Sequence, residues 1–540
     1  MPLFWFVLLP VLIGSINYFV THKWSKYFIL VLQVMLLAFA IHNFAIVKTN
    51  GPISIILGNY AKGIGIQLYC DNIAAVLVVF NILIFTCMGI FSISRKYMTS
   101  LFTLLFLLLQ GLLNGIFLSN DLFNLYVLIE LSTIVVSILI MFKKDRLSIY
   151  DGMVYLLINI AAMSFFLIGI GYIYKIFGIL DISLIKEKMS LISNPRALIL
   201  PYSFLMTAIC LKSAIFPLFS WLPKAHGTPS APSIVSAILS GLYIKGGLYL
   251  FIRIQDMFSP QLSTQPLFLF LGFITGIIGF ILALSQTDIK RILAYSTVSQ
   301  IGLIVFGISL SSWESNFGSI YHILNHGLFK ALLFLIAGLL IDAFQTRDIR
   351  KMYNVYEKLP FISIISFIAI MGITGAPLFN GSISKYYLAK NTSGYLEYGI
   401  FLINLGTITI FIRFFEMFFR KKPLTEDYDV ENTVVAKPLL LHQKAVLILL
   451  AALCLLGGIF GSQLVQFLFG AGLYISKEDY FAKSLIYLVS VLISFVFYRY
   501  IYSKISLFKK IRELEFSFPT LCLSLFLFFS ALLAYLHFTV

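Results

Sequence analysis

The chain has 540 residues, of which 60% are hydrophobic and only 11% charged. Soluble domains carry about 25% charged residues, so a water-soluble globular fold is excluded. The formal net charge of +16 does not mark a nucleic-acid-binding protein either, because Lys and Arg gather in alternate connections between apolar stretches.

A bilayer span needs about 20 mostly apolar residues, and about 16 such stretches follow one another along the chain. They lie near 3–20, 27–47, 72–93, 101–118, 121–142, 152–174, 198–217 and 232–252. They continue near 265–286, 292–310, 318–341, 360–389, 398–419, 443–468, 483–503 and 517–538. None alternates as a barrel strand does, and backbone groups in lipid are satisfied within the element, so the expected fold is all-α and polytopic. No charge precedes the first stretch and no small-residue cleavage pattern follows it, so a removable signal peptide is not expected. Between the second and third stretches, Gly51, Gly58, Gly63 and Gly65 punctuate short apolar runs, and an external hairpin is expected.

The connections after odd-numbered spans carry Lys23/Lys26, Arg95/Lys96, Lys143/Lys144/Arg146, Lys290/Arg291, Arg347/Arg350/Lys351 and Arg420/Lys421/Lys422. Lys504, Lys509, Lys510 and Arg512 precede the last span. These connections hold roughly twice the Lys and Arg of the even ones, which places them in the cytoplasm and both termini outside. The charges around Asp288/Lys290/Arg291 and Asp342/Arg347/Asp348 read as solvated loop charges, and Arg413 with Glu416 as an interfacial pair. The five cysteines (Cys70, Cys87, Cys210, Cys454, Cys522) form no CxxC or Cys/His cluster and read as small packing residues.

Two spans are interrupted. Span seven breaks at Pro217 and Pro223, just after Lys212; span twelve breaks around Gly375 and Pro377, just before Lys385. Proline removes a backbone donor and kinks a helix. Both breaks carry Pro-Leu-Phe, at 217–219 and 377–379. Broken helices five spans apart point to two repeated five-helix units, and an odd-numbered repeat is inverted in the membrane. The expected organisation is N-terminal helices over 1–100, a first unit over 101–255, a second over 256–420, and C-terminal helices over 421–540.

Ionisable residues at membrane depth are expensive and by default mark function. Glu130 lies mid-span with no Lys or Arg within a turn of it, so its partner comes from another helix. Lys212 and Lys245 lie deep in spans seven and eight, where snorkelling is difficult. The plain alternative is a static ion pair or a lysine capped by carbonyls. Burial lowers a lysine pKa and a nearby carboxylate raises it, which suits lysine to holding and releasing a proton. In span eleven, His322, His326 and Lys330 recur every fourth residue and share one helix face. A proton relay is the preferred reading of that face. Metal or haem ligation is disfavoured, because no acidic partner sits beside the pair and no mid-span histidine on another helix completes a haem site; hydrogen bonding between helices stays open. Lys385 is expected to be modestly buried.

At these residues the sequence resembles the antiporter-like subunits shared by Mrp-type Na⁺/H⁺ antiporters, respiratory complex I and membrane-bound hydrogenases. The segments that carry the resemblance are 117–130, 211–232, 236–245 and 288–302, and it extends over roughly 65–420. They look nearest to the D-type protein of Mrp antiporters and its hydrogenase counterpart. The resemblance implies a core of about fourteen helices with two inverted repeats, here with about two further C-terminal spans, and a prokaryotic cytoplasmic membrane location. It implies Glu130 and Lys212 as a modulating pair, Lys245 as central carrier, His322 and His326 as bridge, Lys385 as outlet, and His226 as a loop histidine beside the pathway. Lys224 stands where relatives often have Asp.

The resulting expectation is a proton-translocating subunit of a larger membrane complex, with exchange of H⁺ for Na⁺ left open, other membrane subunits as partners, and no cofactor or catalytic site of its own. Two rivals remain at this level. The same core serves a redox-driven pump or moves another solute such as inorganic carbon; a quinone- or redox-cofactor enzyme is disfavoured for want of ligands.

Overall fold

The computed structural model describes residues 2–20, 25–227, 231–310, 312–421, 438–514 and 516–540. Lys23, Lys422 and the motif residues 228–230 lie outside the described residues. The first helices are α1 (Trp5–Phe19), α2 (Ser25–Asn50), α3 (Asn72–Ser92), α4 (Ser100–Leu118), α5 (Leu122–Ile140) and α6 (Arg146–Phe177). The expected hairpin joins α2 to α3 as two antiparallel strands, β1 (Ile53–Ile56) and β2 (Gln67–Cys70), with Ile53 opposite Cys70. A short α7 (Ile182–Met189) precedes α8 (Ile199–Lys212), α9 (Trp221–Gly227), α10 (Ser233–Ile238) and α11 (Ile244–Phe258). Then come α12 (Gln265–Ser285), α13 (Ile289–Ile308), α14 (Trp313–Phe344), α15 (Val355–Lys358), α16 (Pro360–Thr374), α17 (Asn380–Leu388) and α18 (Tyr395–Phe419). The chain ends with α19 (Leu441–Ile459), α20 (Gly461–Phe469), α21 (Lys477–Val496), α22 (Leu507–Arg512) and α23 (Phe518–Thr539).

Among the described residues, 13 helices are long and apolar enough to cross a membrane, and α1 and α16 are shorter apolar helices. The protein is thus an all-α polytopic membrane protein. The span expected over 443–468 divides at Phe460 into α19 and α20. Asp71, Asp121, Asp145, Asp181 and Asp288 each cap a helix N-terminus, accepting from a backbone N–H two or three residues on.

Both expected breaks are present. α8 stops at Lys212, and the chain resumes a helix only at Trp221, whose indole Nε1 donates to Leu211 O at 2.7 Å. α16 stops at Thr374, where Gly375 takes the left-handed conformation, φ +83°, that favours glycine. The two halves of this span cross closely, since a Cβ on Gly381 would meet Gly372 O at 1.9 Å. A third irregularity was not expected. Residues Leu239–Tyr243, between α10 and α11, form a π-helical turn.

One feature recurs along the chain. Asp121 bridges Asp181, and Asp288 bridges Asp348, at the same sequence spacing. At each bridge the backbone bonds run both ways: Leu122 N to Leu180 O and Ile182 N to Asn120 O, then Ile289 N to Arg347 O and Ile349 N to Thr287 O. Burial pushes the Asp348 carboxyl up, but its hydrogen bonds from Arg350 outweigh that and hold it below its ordinary value.

Small residues set the helix packing. Gly272, Gly276 and Gly279 of α12 meet α13, where a Cβ on Gly302 would lie 2.1 Å from Gly276 N. The C-terminal helices pack on separate earlier helices: α21 on α18, α22 on α12, and α23 on α8. Arg512 Nε donates to Ser285 O and Tyr502 Oη to Leu284 O, both at 2.7 Å, which ties the connecting segment to the end of α12. Arg413 and Glu416 do not pair as expected. Arg413 instead donates to Leu284 O, and Glu416 pairs with Arg420 at 2.8 Å and accepts from Tyr498. A carbonyl left over at the end of α12 is the nearer acceptor for that guanidinium.

Candidate functional site

The ionisable residues singled out in the sequence converge in the interior. Lys212, Lys245, His226, His322, His326, Lys330 and Lys385 are all buried, with Lys245 1% and Lys330 0% exposed, so neither ammonium reaches the membrane surface. Lys385 is 7% exposed, more buried than expected, because its side chain folds back over the break between α16 and α17. Glu130 differs from the rest. It is only half-buried, on the outer side of α5.

Glu130 and Lys212 form no direct salt bridge. Lys212 Nζ instead donates to Thr133 Oγ1 at 2.5 Å, one helical turn from Glu130 on α5. The Thr133 hydroxyl donates to Ile129 O at 2.8 Å, which leaves its lone pairs free to accept. It also lies 3.4 Å from the Tyr243 hydroxyl, and Tyr155 Oη donates to Tyr243 Oη at 2.8 Å. A buried hydroxyl cluster of Thr133, Tyr243 and Tyr155 therefore joins the Lys212 end to the π-helical turn that precedes Lys245.

The π turn has a direct consequence. In regular helix each carbonyl accepts from the residue four positions on, whereas here Ser240 O accepts Lys245 Nζ at 2.7 Å. A second bond joins Lys245 Nζ to His326 Nδ1 on α14. Close backbone approach brings them together. A Cβ on Gly241 would meet Gly327 O at 3.3 Å, and one on Gly327 would meet Phe80 Cζ at 2.5 Å.

Along the α14 face, His322 and His326 have ring centroids 6.4 Å apart. His322 is held at both nitrogens, Nδ1 to Ser384 Oγ at 2.8 Å and Nε2 to Gln300 Oε1 at 3.0 Å. Ser384 is the neighbour of Lys385 on α17. Lys385 Nζ donates to Ile373 O at 2.8 Å, a carbonyl at the C-terminal end of the half-helix α16, where the helix dipole favours a cation. Lys330 turns to α13, donating to Leu293 O at 2.8 Å and Ser296 Oγ at 2.5 Å.

His226 stacks on Phe334 with centroids 4.8 Å apart, and neither of its ring nitrogens has a partner among the described residues. His326 Nε2 is likewise without one. Buried polar atoms of this kind are ordinarily satisfied by internal water. Pro217 follows a cis peptide at the first break, and Pro377 lies at the second, against the cavity beside Lys385.

Lys290 corrects the sequence reading. It is not a solvated loop charge but 3% exposed, with Nζ donating to Ala231 O at 2.8 Å. Its neighbours Asp288 and Arg347 pair at 2.8 Å nearer the surface. Thr133, Tyr155, Tyr243, Gln300 and Ser384 were not singled out from sequence. Uncharged polar residues are ordinary in helices, and their place beside the lysines and histidines emerges only from packing. Among the described residues, no group of three or more His, Cys, Asp or Glu is placed to hold a metal ion.

The model of the family described as "NADH:quinone oxidoreductase/Mrp antiporter, TM" matches residues 119–412, which is more than half of the chain. The D-type protein of the Na(+)/H(+) antiporter of Alkalihalophilus pseudofirmus is 31% identical over 393 residues, covering 71% of this chain and 78% of that protein. The N-type protein of the NADH-quinone oxidoreductase of Desulforudis audaxviator is 33% identical over 302 residues, covering 55% and 59%. In fold, the chain is similar to one in the Mrp complex from Dietzia sp. DQ12-45-1b, with a TM-score of 0.78, 21% identity and coverage of 90% and 99%. It is similar to much the same degree to a chain of the membrane-bound sulfane sulfur reductase, an archaeal respiratory membrane complex, with a TM-score of 0.77, 23% identity and coverage of 91% and 99%.

Proposed function

The chain belongs to the NADH:quinone oxidoreductase/Mrp antiporter transmembrane family, and we propose that it moves protons as an antiporter-like subunit of a multisubunit membrane complex, in exchange for Na⁺. The observation that carries the reading is the hydrogen bond of Lys245 to His326 in the bilayer interior. It joins two proton-carrying groups from different halves of the chain, and among the described residues no other cation or carboxylate bonds to either. A proton on Lys245 is handed to His326 Nδ1 within one hydrogen bond, leaving a neutral amine. Return of a proton to Lys245 resets it.

From this centre the relay runs both ways. On one side Tyr243 and Thr133 lead to Lys212, whose proton Glu130 holds or releases by its charge. On the other, His322 and Ser384 lead to Lys385. Lys330 and His226 flank the centre, Lys330 of α14 bonded across to α13 and His226 stacked on Phe334. The units over 101–255 and 256–420 are two inverted repeats in this account. The paired Asp bridges and the two broken helices support that division.

The half-buried Glu130 also bears on assembly. A carboxylate at membrane depth is not left against lipid, and its neighbours Leu131 and Ile134 on α5 are exposed at 46% and 44%. A neighbouring membrane subunit covers this face. The loop charges orient the chain with both termini outside, in the cytoplasmic membrane of a prokaryote.

The test uses the purified whole complex in proteoliposomes with a trapped pH-sensitive dye. A pulse of Na⁺ is expected to collapse an imposed pH gradient, while K⁺ of equal strength does not. A gradient indifferent to both cations, in vesicles whose complex is intact, overturns the antiport reading.

A further inference from the structure

Beside Lys385 lies a cavity of about 440 Å³, walled by α16–α18 on one side and by α21 of the C-terminal extension on the other. Much of its wall is apolar, Ile400, Phe401 and Ile486 included. Such a space accepts water or a lipid tail, and polar partners decide between them. Here there are several. The Lys385 ammonium has three donors and bonds one acceptor among the described residues, Ile373 O. Asn404 Oδ1 faces the cavity, buried and without a partner among the described residues. At the rim, Glu397 of α18 and Lys483 of α21 pair at 3.2 Å with 50% and 42% of their side chains exposed. A lipid tail satisfies none of these groups. The second cavity, about 380 Å³ beside Pro217, is lined by α12 and the α22–α23 segment and carries no ionisable side chain among the described residues.

With the cavity beside Lys385 as the outlet that the family resemblance implies, we propose that Glu397, tethered by Lys483 of α21, is the terminal proton acceptor of the relay. The inference rests on the relay proposed above and gives the C-terminal extension a part in it. The proton leaves the Lys385 ammonium, which becomes a neutral amine, and passes through water to the Glu397 carboxylate. The carboxylic acid so formed discharges to the aqueous phase on the side of the α17–α18 connection. Lys483 is a positioning residue, holding the carboxylate at the mouth.

The experiment uses the whole complex in vesicles, with Cys522→Ser removing the one partly exposed thiol. Ser490 lies deep on the α21 wall, 4% exposed. Ser490→Cys is expected to react with a membrane-impermeant methanethiosulfonate ammonium reagent from one side only, and the modification to slow proton flux about tenfold. Glu397→Gln is expected to slow flux about tenfold without changing the half-saturating cation concentration, and Glu397→Asp to restore most of it. A thiol at 490 that reacts with lipid-permeant N-ethylmaleimide but not with the impermeant reagent overturns the aqueous exit. Full flux in Glu397→Gln overturns the acceptor. Lys245→Ala, run alongside, separates the failures: if it still conducts, the relay itself is wrong, whereas if it is dead and position 490 stays dry, only the exit is.

Discussion

Lys212 rests on Thr133, not on Glu130. The ammonium donates to Thr133 Oγ1 at 2.5 Å, and Glu130 stands one turn from Thr133 on α5. A carboxylate at that remove biases the lysine without locking it into a salt bridge, and a buried salt bridge is costly to break. Thr133 is thus a neutral resting place for the ammonium and, through Tyr243, its link to the π turn.

Thr133→Ala removes the acceptor while leaving the charge on Glu130. A hydrogen bond to a charged group contributes about 1.5–3 kcal/mol, so proton flux through the reconstituted complex is expected to fall about ten- to hundredfold. Thr133→Ser keeps the hydroxyl and is expected to retain most of the flux. Equal loss in both variants points to packing around the methyl group and contradicts the assignment.

Ser384, which joins His322 Nδ1 to the helix that carries Lys385, offers a parallel test. Ser384→Ala is expected to slow flux about tenfold, within the loss of one buried bond, while the complex assembles normally. Measured alongside Gln300→Ala, it separates the two nitrogens of His322. In the proposed relay the Ser384 side passes the proton and should matter more than the Gln300 side, which is held by Thr407 and orients the ring.

Packing gives a prediction independent of transport. A Cβ on Gly302 would lie 2.1 Å from Gly276 N and 2.6 Å from Gly272 O, both backbone atoms that have no side-chain freedom to yield. Gly302→Ala is expected to destabilise the chain by about 1–3 kcal/mol, read as a lowered midpoint in a thermal aggregation assay of the detergent-purified complex. Gly171→Ala, inside α6 where a Cβ meets nothing within 4 Å, is the matched control and should not lower the midpoint.

Much of this was legible in the sequence because it is written in period and depth. Long apolar runs can only be helices in lipid, and Glu130, Lys212, Lys245, His322, His326 and Lys385 stood out because charge there is expensive. The proline- and glycine-marked breaks at 217 and 375–377 were visible for the same local reasons. What escaped depends on juxtaposition. Thr133, Tyr243 and Ser384 carry no charge, and nothing in their local pattern tells a hydroxyl that also bonds across helices from one that only returns to its own helix, as Ser203 does to Ile199 O. The π turn is a backbone register fault with no composition mark. Lys290 misled because it lies in a cluster of loop charges, yet it is in the first turn of α13 and points inward to Ala231 O. Arg413 misled because helical spacing offered Glu416, while the end of α12 offered a carbonyl.

The central claim is that Lys245 carries the proton between the two halves, and Lys245→Ala tests it most directly. The variant complex, shown intact by co-purification of its neighbouring subunits, is reconstituted and its proton flux followed with a trapped dye. The account predicts that flux falls to the level of empty vesicles. Flux preserved in the absence of the Lys245 ammonium contradicts it.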